Sequence, residues 1–135
     1  MPKKIKKISR IIIASDHAGF KLKEYIKKSL IKKNNKILDL GTNNSNPVDY
    51  PDFAHRLSKR IKTKNKQFGV LVCGSGIGME MAANRHHNVR AALCYSIKSA
   101  KLSREHNNAN VITIGARLTK KNLALRCVNT FIKTD

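Results

Sequence analysis

"VLVCGSGIGMEMAAN", residues 70–84, decides how this chain folds. A buried apolar run ends at Cys73, passes through Gly74, Gly76 and Gly78, and becomes a helix of small and apolar residues. A short buried strand running straight into a helix is one β–α unit, and a chain of such units builds a parallel sheet.

The same alternation extends in both directions. Upstream, "RIIIAS" (10–15) is short and β-branched, which predicts a buried strand. In "GFKLKEYIKKSLIKK" (19–33), Leu22, Ile26 and Leu30 are four apart with lysines opposite, the pattern of an amphipathic helix. "KILDLG" (36–41) reads as the second strand and "TNNSNPVDYP" (42–51) as a loop, by its Asn, Ser and Pro content. "DFAHRLSKRIKTK" (52–64) sets Phe53, Leu57 and Ile61 at helical spacing ahead of the third strand, "FGVLVCG" (68–74).

Downstream, "VRAALCY" (89–95) and "NVITIGA" (110–116) are the fourth and fifth strands, separated by the helix "SIKSAKLSREHNN" (96–108). The last helix opens at Thr119 as its N-cap and turns Leu123, Cys127, Val128 and Phe131 inward. Repeated β–α units with short links predict one α/β domain over residues 1–135. Its form is a three-layer αβα sandwich with a five-stranded parallel sheet, Rossmann-like in outline.

Composition narrows the class. A chain of 135 residues can bury a core without disulfides or metal. Its three cysteines, Cys73, Cys94 and Cys127, are odd in number, far apart and set in apolar runs, which points to a reducing cytoplasm. Cys94 and Cys127 read as packing residues. The basic start "MPKKIKKISRIIIAS" carries too short an apolar run for a signal peptide, and no stretch suits a membrane span.

The formal charge of +20 suggests an anionic partner. The lysines, among them Lys3, Lys4, Lys21, Lys28, Lys59, Lys64, Lys101 and Lys121, are nevertheless spread over most of the helix-like segments. No aromatic interleaves them, so a solvated surface is expected rather than a nucleic-acid face. His55, His86 and His87 read as surface residues. Lacking carboxylate or thiol company, the adjacent pair His86-His87 predicts no metal.

Ligands of an open parallel sheet bind beyond the carboxyl ends of its strands. There the first strand ends at Asp16-His17, and the loop after the second carries Asp49-Tyr50. The third ends at Cys73 and the fifth at Gly115, with Arg117 just beyond. His106-Asn107 closes the fourth helix immediately before the fifth strand. Asp16 also reads as an N-cap for the first helix.

The glycine turn fits no dinucleotide fingerprint, since its spacing is G-x-G-x-G, and no Walker loop, since no Lys-Ser/Thr pair follows. A cysteine phosphatase loop would need arginine where Met79 stands. What remains is a backbone nest of amides over 74–78 with a helix N-terminus behind it, or a plain glycine-rich turn around a core cysteine. A thiol beside a helix N-terminus has its thiolate favoured, which makes Cys73 a poised base next to an oxyanion site.

Four blocks in order, "SDHAGF" (15–20), "DYPDFA" (49–54), "VCGSGIGMEMAAN" (72–84) and "SREHNNANVITIGAR" (103–117), resemble type B ribose-5-phosphate isomerase from about residue 10 onward. That family, which also contains galactose- and allose-6-phosphate isomerases, interconverts aldose and ketose phosphates through a cis-enediolate, without metal or organic cofactor. The resemblance implies that Cys73 is the general base, that the amides of Gly74, Gly76 and Gly78 hold the enediolate oxygen, and that Ser75 moves the hydroxyl proton. It makes His106 the ring-opening residue. It gives Asp16, Tyr50 and Asn107 to the sugar hydroxyls, and His17 and Arg117 to the phosphate, Arg117 from across a homodimer interface.

Relatives without the cysteine use a glutamate six residues further on; here Met79 stands there and Glu80 is one step out of register. Relatives also continue into a glycine- and arginine-rich tail where this chain stops at "TFIKTD". The expected activity is ribose 5-phosphate/ribulose 5-phosphate isomerisation. The alternatives are a hexose-6-phosphate isomerase of the same family and a non-catalytic nucleotide- or nucleic-acid-binding module.

Overall fold

In the sheet's centre, Gly69 to Cys73 and Val111 to Gly115 are buried without a break, as strands covered on both faces must be. The computed structural model describes residues 10–135; the basic start, with Lys3 and Lys4, lies outside the described residues. The strands are β1 (Arg10–Ser15), β2 (Lys36–Asp39), β3 (Phe68–Cys73), β4 (Ala91–Leu93) and β5 (Val111–Gly115). They pair in the order β2-β1-β3-β5-β4, all parallel. The helices are α1 (Phe20–Lys32), α2 (Tyr50–Ser58), α3 (Ile77–Ala83), α4 (Ile97–Asn107) and α5 (Lys121–Lys133).

Period-two alternation divides the core. Ile11, Ile13, Val70, Val72, Ile112 and Ile114 face α1, α4 and α5, where Leu22, Ile26, Cys127, Val128 and Phe131 meet them. Ile12, Ala14, Leu71 and Cys73 face α2 and α3, against Phe53, Leu57, Met79 and Ala83. The three-layer sandwich is therefore as expected. Cys94 and Cys127 are buried in the first of these layers, where burial pushes the Cys127 thiol up to about 11.

Several boundaries differ from the sequence expectation. The second helix begins at Tyr50, inside the expected loop, because a proline is tolerated in a first turn that needs no amide donor. It stops at Ser58, and a single 3-10 turn at Thr63–Asn65 follows. The fourth strand shrinks to three residues. Thr119 is not the last helix's N-cap: Lys120 occupies that position without a side-chain cap, and Thr119 is buried with its amide on Gly115 O.

One lysine of α1's expected polar face is wholly buried. Lys23 Nζ donates to Glu24 Oε2 at 2.7 Å and to both carboxylate oxygens of Asp39 at 2.9 and 2.7 Å. Lys27 Nζ reaches the same aspartate at 2.7 Å. Burial would raise the Asp39 pKa, but donors from Lys23, Lys27 and the Gly41 amide outweigh it and hold the carboxyl below the ordinary aspartate range; Glu24 is lowered likewise.

Unfolded carboxyls take up protons near about pH 4, the folded ones only below that, so the stabilisation is complete above about pH 5 and is lost as pH falls further. Urea midpoints measured from pH 7 down to about pH 3 should drop steeply for the wild type. Asp39→Asn should lose about 3 kcal/mol at pH 7, because it leaves the Lys23 charge under-partnered, and should show a flatter pH profile. An Asn variant as stable as wild type at pH 7 would refute a stabilising network.

Candidate active site

The strand order reverses between β1, whose chain next forms β2 on one side, and β3 on the other. Crevices form at such a point. There Asp16 and Cys73 are brought together: Ser15 pairs with Val72, and the Asp16 amide donates to Val72 O at 3.2 Å. Asp16 is not the N-cap of α1, which is Gly19. Its Oδ1 accepts the Gly19 amide at 3.0 Å and closes the turn that leads into the helix.

Cys73, 4% exposed, lies at the floor, and its Sγ accepts the Gly76 amide at 3.2 Å. Gly76 has φ +80°, and a Cβ there would lie 2.6 Å from Leu93 Cδ1 and 2.9 Å from the Gly115 nitrogen, so only glycine fits. The buried Thr113 hydroxyl donates to Gly76 O at 3.0 Å and holds this peptide from below. The Ile77 amide donates to Ser75 Oγ at 3.2 Å. Two amides of the expected nest are thus engaged within the turn, one of them on the sulfur itself.

The other two glycines admit neighbours. A Cβ on Gly74 would lie 2.7 Å from Arg117 Nη1, and one on Gly78 would lie 2.6 Å from Tyr50 Cζ. The Arg117 amide donates to Gly74 O at 2.9 Å and the Ala116 amide to Cys73 O at 2.8 Å, which clasps the loop after β5 onto the loop after β3. The result is an open cavity of about 320 Å³ whose walls include Asp16, Tyr50, Cys73, Ser75, Arg117 and Leu118. It offers a thiol, a carboxylate, a hydroxyl and a guanidinium to a small polar anion.

The family model for ribose/galactose isomerase matches residues 11–135. The chain belongs to this isomerase family. It is 34% identical to ribose-5-phosphate isomerase B of Escherichia coli over 125 residues, 93% of this chain and 84% of that one. Ribose 5-phosphate isomerase B from Thermotoga maritima superposes with a TM-score of 0.90 at 45% identity, covering 93% of this chain and 87% of that chain. The Mycoplasma genitalium enzyme, solved with ribulose 5-phosphate bound, gives a TM-score of 0.90 at 41% identity, with coverages of 93% and 84%.

In this sugar-phosphate isomerase, His106 and Asn107 do not join the cavity. Parallel strands put the cavity at their carboxyl ends, while α4 runs from the end of β4 back to the start of β5, about 16 Å along its axis. Both residues are exposed at that opposite edge, where Asn107 O accepts Arg90 Nε at 2.8 Å. Arg117 departs from its expected placement in the other direction, since it lines its own chain's cavity. His17 lines a neighbouring groove with Val48 and Arg56, and its Nδ1 lies 3.1 Å from the Val48 amide.

The isomerase also gives residues structural roles that the sequence did not assign to them. Glu80 does not act near Cys73: its Oε2 accepts the Leu93 amide at 2.8 Å, and Asn84 pairs both backbone groups of Ala91. Together they cover the free edge of β4, where an open strand would invite association. Thr113 carried one visible sign, a hydroxyl inside an otherwise apolar strand. Among the described residues no group of three or more His, Cys, Asp or Glu could hold a metal ion. None of the described helices is long and apolar enough to cross a membrane.

Proposed function

We propose that the protein interconverts ribose 5-phosphate and ribulose 5-phosphate, with Cys73 as the base that takes the proton from the carbon beside the carbonyl. The carrying observation is Cys73 at the switch point with a backbone donor 3.2 Å from its sulfur and a cavity of about 320 Å³ above it. In the developing enediolate the charge lies next to the glycine turn, where the amides other than those of Gly76 and Ile77, which are engaged within the turn, are left to meet it. Ser75 stands at the rim to pass the hydroxyl proton between the two oxygens. Asp16 and Tyr50 bind sugar hydroxyls, and Arg117 binds the phosphate, with His17 assisting from the neighbouring groove.

The ring-opening residue comes from a second copy of the chain. His106 and Asn107 are exposed but stand at the wrong edge for their own Cys73, so a homodimer that sets this edge over the partner's cavity completes both sites at once. Exposed Met81, Tyr95 and Leu118 offer apolar cover for such an interface.

A coupled assay across pentose and hexose phosphates tests the substrate. Ribose 5-phosphate should exceed galactose and allose 6-phosphate in kcat/KM by about 10- to 100-fold, the discrimination that one extra carbon unit supports. Hexose phosphates turned over as well or better would overturn the pentose assignment, and no turnover of any sugar phosphate would overturn the isomerase.

A further inference from the structure

The basic residues, scattered in sequence, converge at one place outside the Cys73 cavity. His55, Arg56, Lys59 and Arg60 come from α2 and the turn after it, and Arg85 and His86 face them from the loop after α3. Between them lies a groove of about 840 Å³ that shares no lining residue with the Cys73 cavity. Asp52 is the one carboxylate in its wall, so with neutral histidines four cations less one acid leave a net charge of +3. Among the described residues the ion pairs fall on Lys23, Lys27 and Lys101, so none of these cations is neutralised by a carboxylate.

The groove is also preformed. Asn88 donates to Ser58 O at 2.9 Å and to Ile61 O at 2.8 Å, which pins the loop bearing Arg85 and His86 to the end of α2. Arg56 lies over the Phe53 ring at 4.5 Å and donates to Leu40 O at 3.1 Å, which fixes the plane of its guanidinium. The imidazoles of His55 and His86 are half-buried, not surface residues as expected, and are hydrogen-bonded to each other at 2.8 Å. Asp52 compensates only part of the charge gathered on these walls, and an anion spanning the groove would offset the rest.

We propose that this groove binds a polyphosphate-bearing anion, two or more linked phosphates either free or carried on a nucleoside. A single phosphate would leave much of it unfilled. The cations spread about 6 Å along α2 and its last turn, and the groove is far larger than the sugar-phosphate cavity. Arginine supplies bidentate donors to phosphate oxygens and lysine a point charge.

The test is calorimetric titration of the full chain with tripolyphosphate, the Cys73 cavity being saturated with the ribose/ribulose 5-phosphate mixture. One equivalent should bind. The triple variant Lys59→Gln, Arg60→Gln, Arg85→Gln should bind at least about tenfold more weakly, from three lost exposed ion pairs, with isomerase turnover unchanged. A control triple, Lys21→Gln, Lys28→Gln, Lys98→Gln, should bind as wild type.

Equal loss in both triples would assign the affinity to overall charge and overturn the site, as would unchanged binding in the first triple or no saturable binding. ATP run in parallel distinguishes the source: tighter binding than tripolyphosphate supports the nucleoside form, and equal or weaker binding the free chain. The His86 imidazole, held low by burial and by His55 and Lys59, should titrate at higher pH in NMR spectra once the anion is bound. An unmoved His86 would place the anion elsewhere and overturn the proposal.

Discussion

Alanine at Cys73 should lower kcat by about 10²- to 10⁴-fold, the usual cost of a lost general base, with KM nearly unchanged. The split follows from where the thiol acts. A proton in flight to sulfur exists only at the transition state, whereas the sugar hydroxyls and phosphate are bound by other groups. Exchange of the substrate's carbon-bound proton with deuterated solvent should fall in parallel, since it reports the same abstraction. The side chain is small and the surrounding turn is held by Thr113, Ala116 and Arg117 through bonds that do not involve the sulfur. Circular dichroism and the unfolding midpoint should therefore stay close to wild type. Wild-type exchange in the alanine variant would reduce Cys73 to a packing residue and remove the basis for the proposed chemistry.

The second large effect concerns His106. Alone, His106→Asn should turn over the cyclic sugar slowly, and far more slowly than an analogue that cannot close its ring. When His106→Asn and Cys73→Ala chains are co-refolded, activity should return. In a mixed dimer one cavity joins both defects, while the other joins an intact Cys73 to an intact His106. Random pairing makes half of the dimers mixed, each with one of two sites intact, so about a quarter of wild-type activity should reappear. A mixture no more active than its separate components would place His106 outside the partner's site. Dilution below the dimer dissociation constant should abolish the recovered activity together with the dimer.

These two experiments separate what lies within one chain from what needs two. Asp16, Cys73, Ser75, Tyr50 and Arg117 line one cavity because their loops all leave the carboxyl ends of parallel strands. His106 does not, because a crossover helix must return the chain to the amino end before the next parallel strand can begin. Nothing in the spacing of "SREHNNANVITIGAR" distinguishes the two edges; the direction of α4 does.

The sequence by itself determined the alternation of strands and helices, and with it the parallel sheet and its two buried faces. Apolar periodicity is a local property, and burial on both sides of the sheet demands it. It also determined the corner at Cys73, since glycines directly after an apolar run end the strand and leave its last side chain, here a thiol, at the strand end. Only the tertiary structure decided which neighbours those glycines admit: Arg117 at Gly74, Leu93 and Gly115 at Gly76, and Tyr50 at Gly78. It likewise decided that Lys23 is buried against Asp39, that Glu80 covers a strand edge, and that His55 and His86 meet across a basic groove. Each of these joins residues from different elements. Their contacts depend on sheet order and helix placement, and no periodicity within a single segment encodes either one.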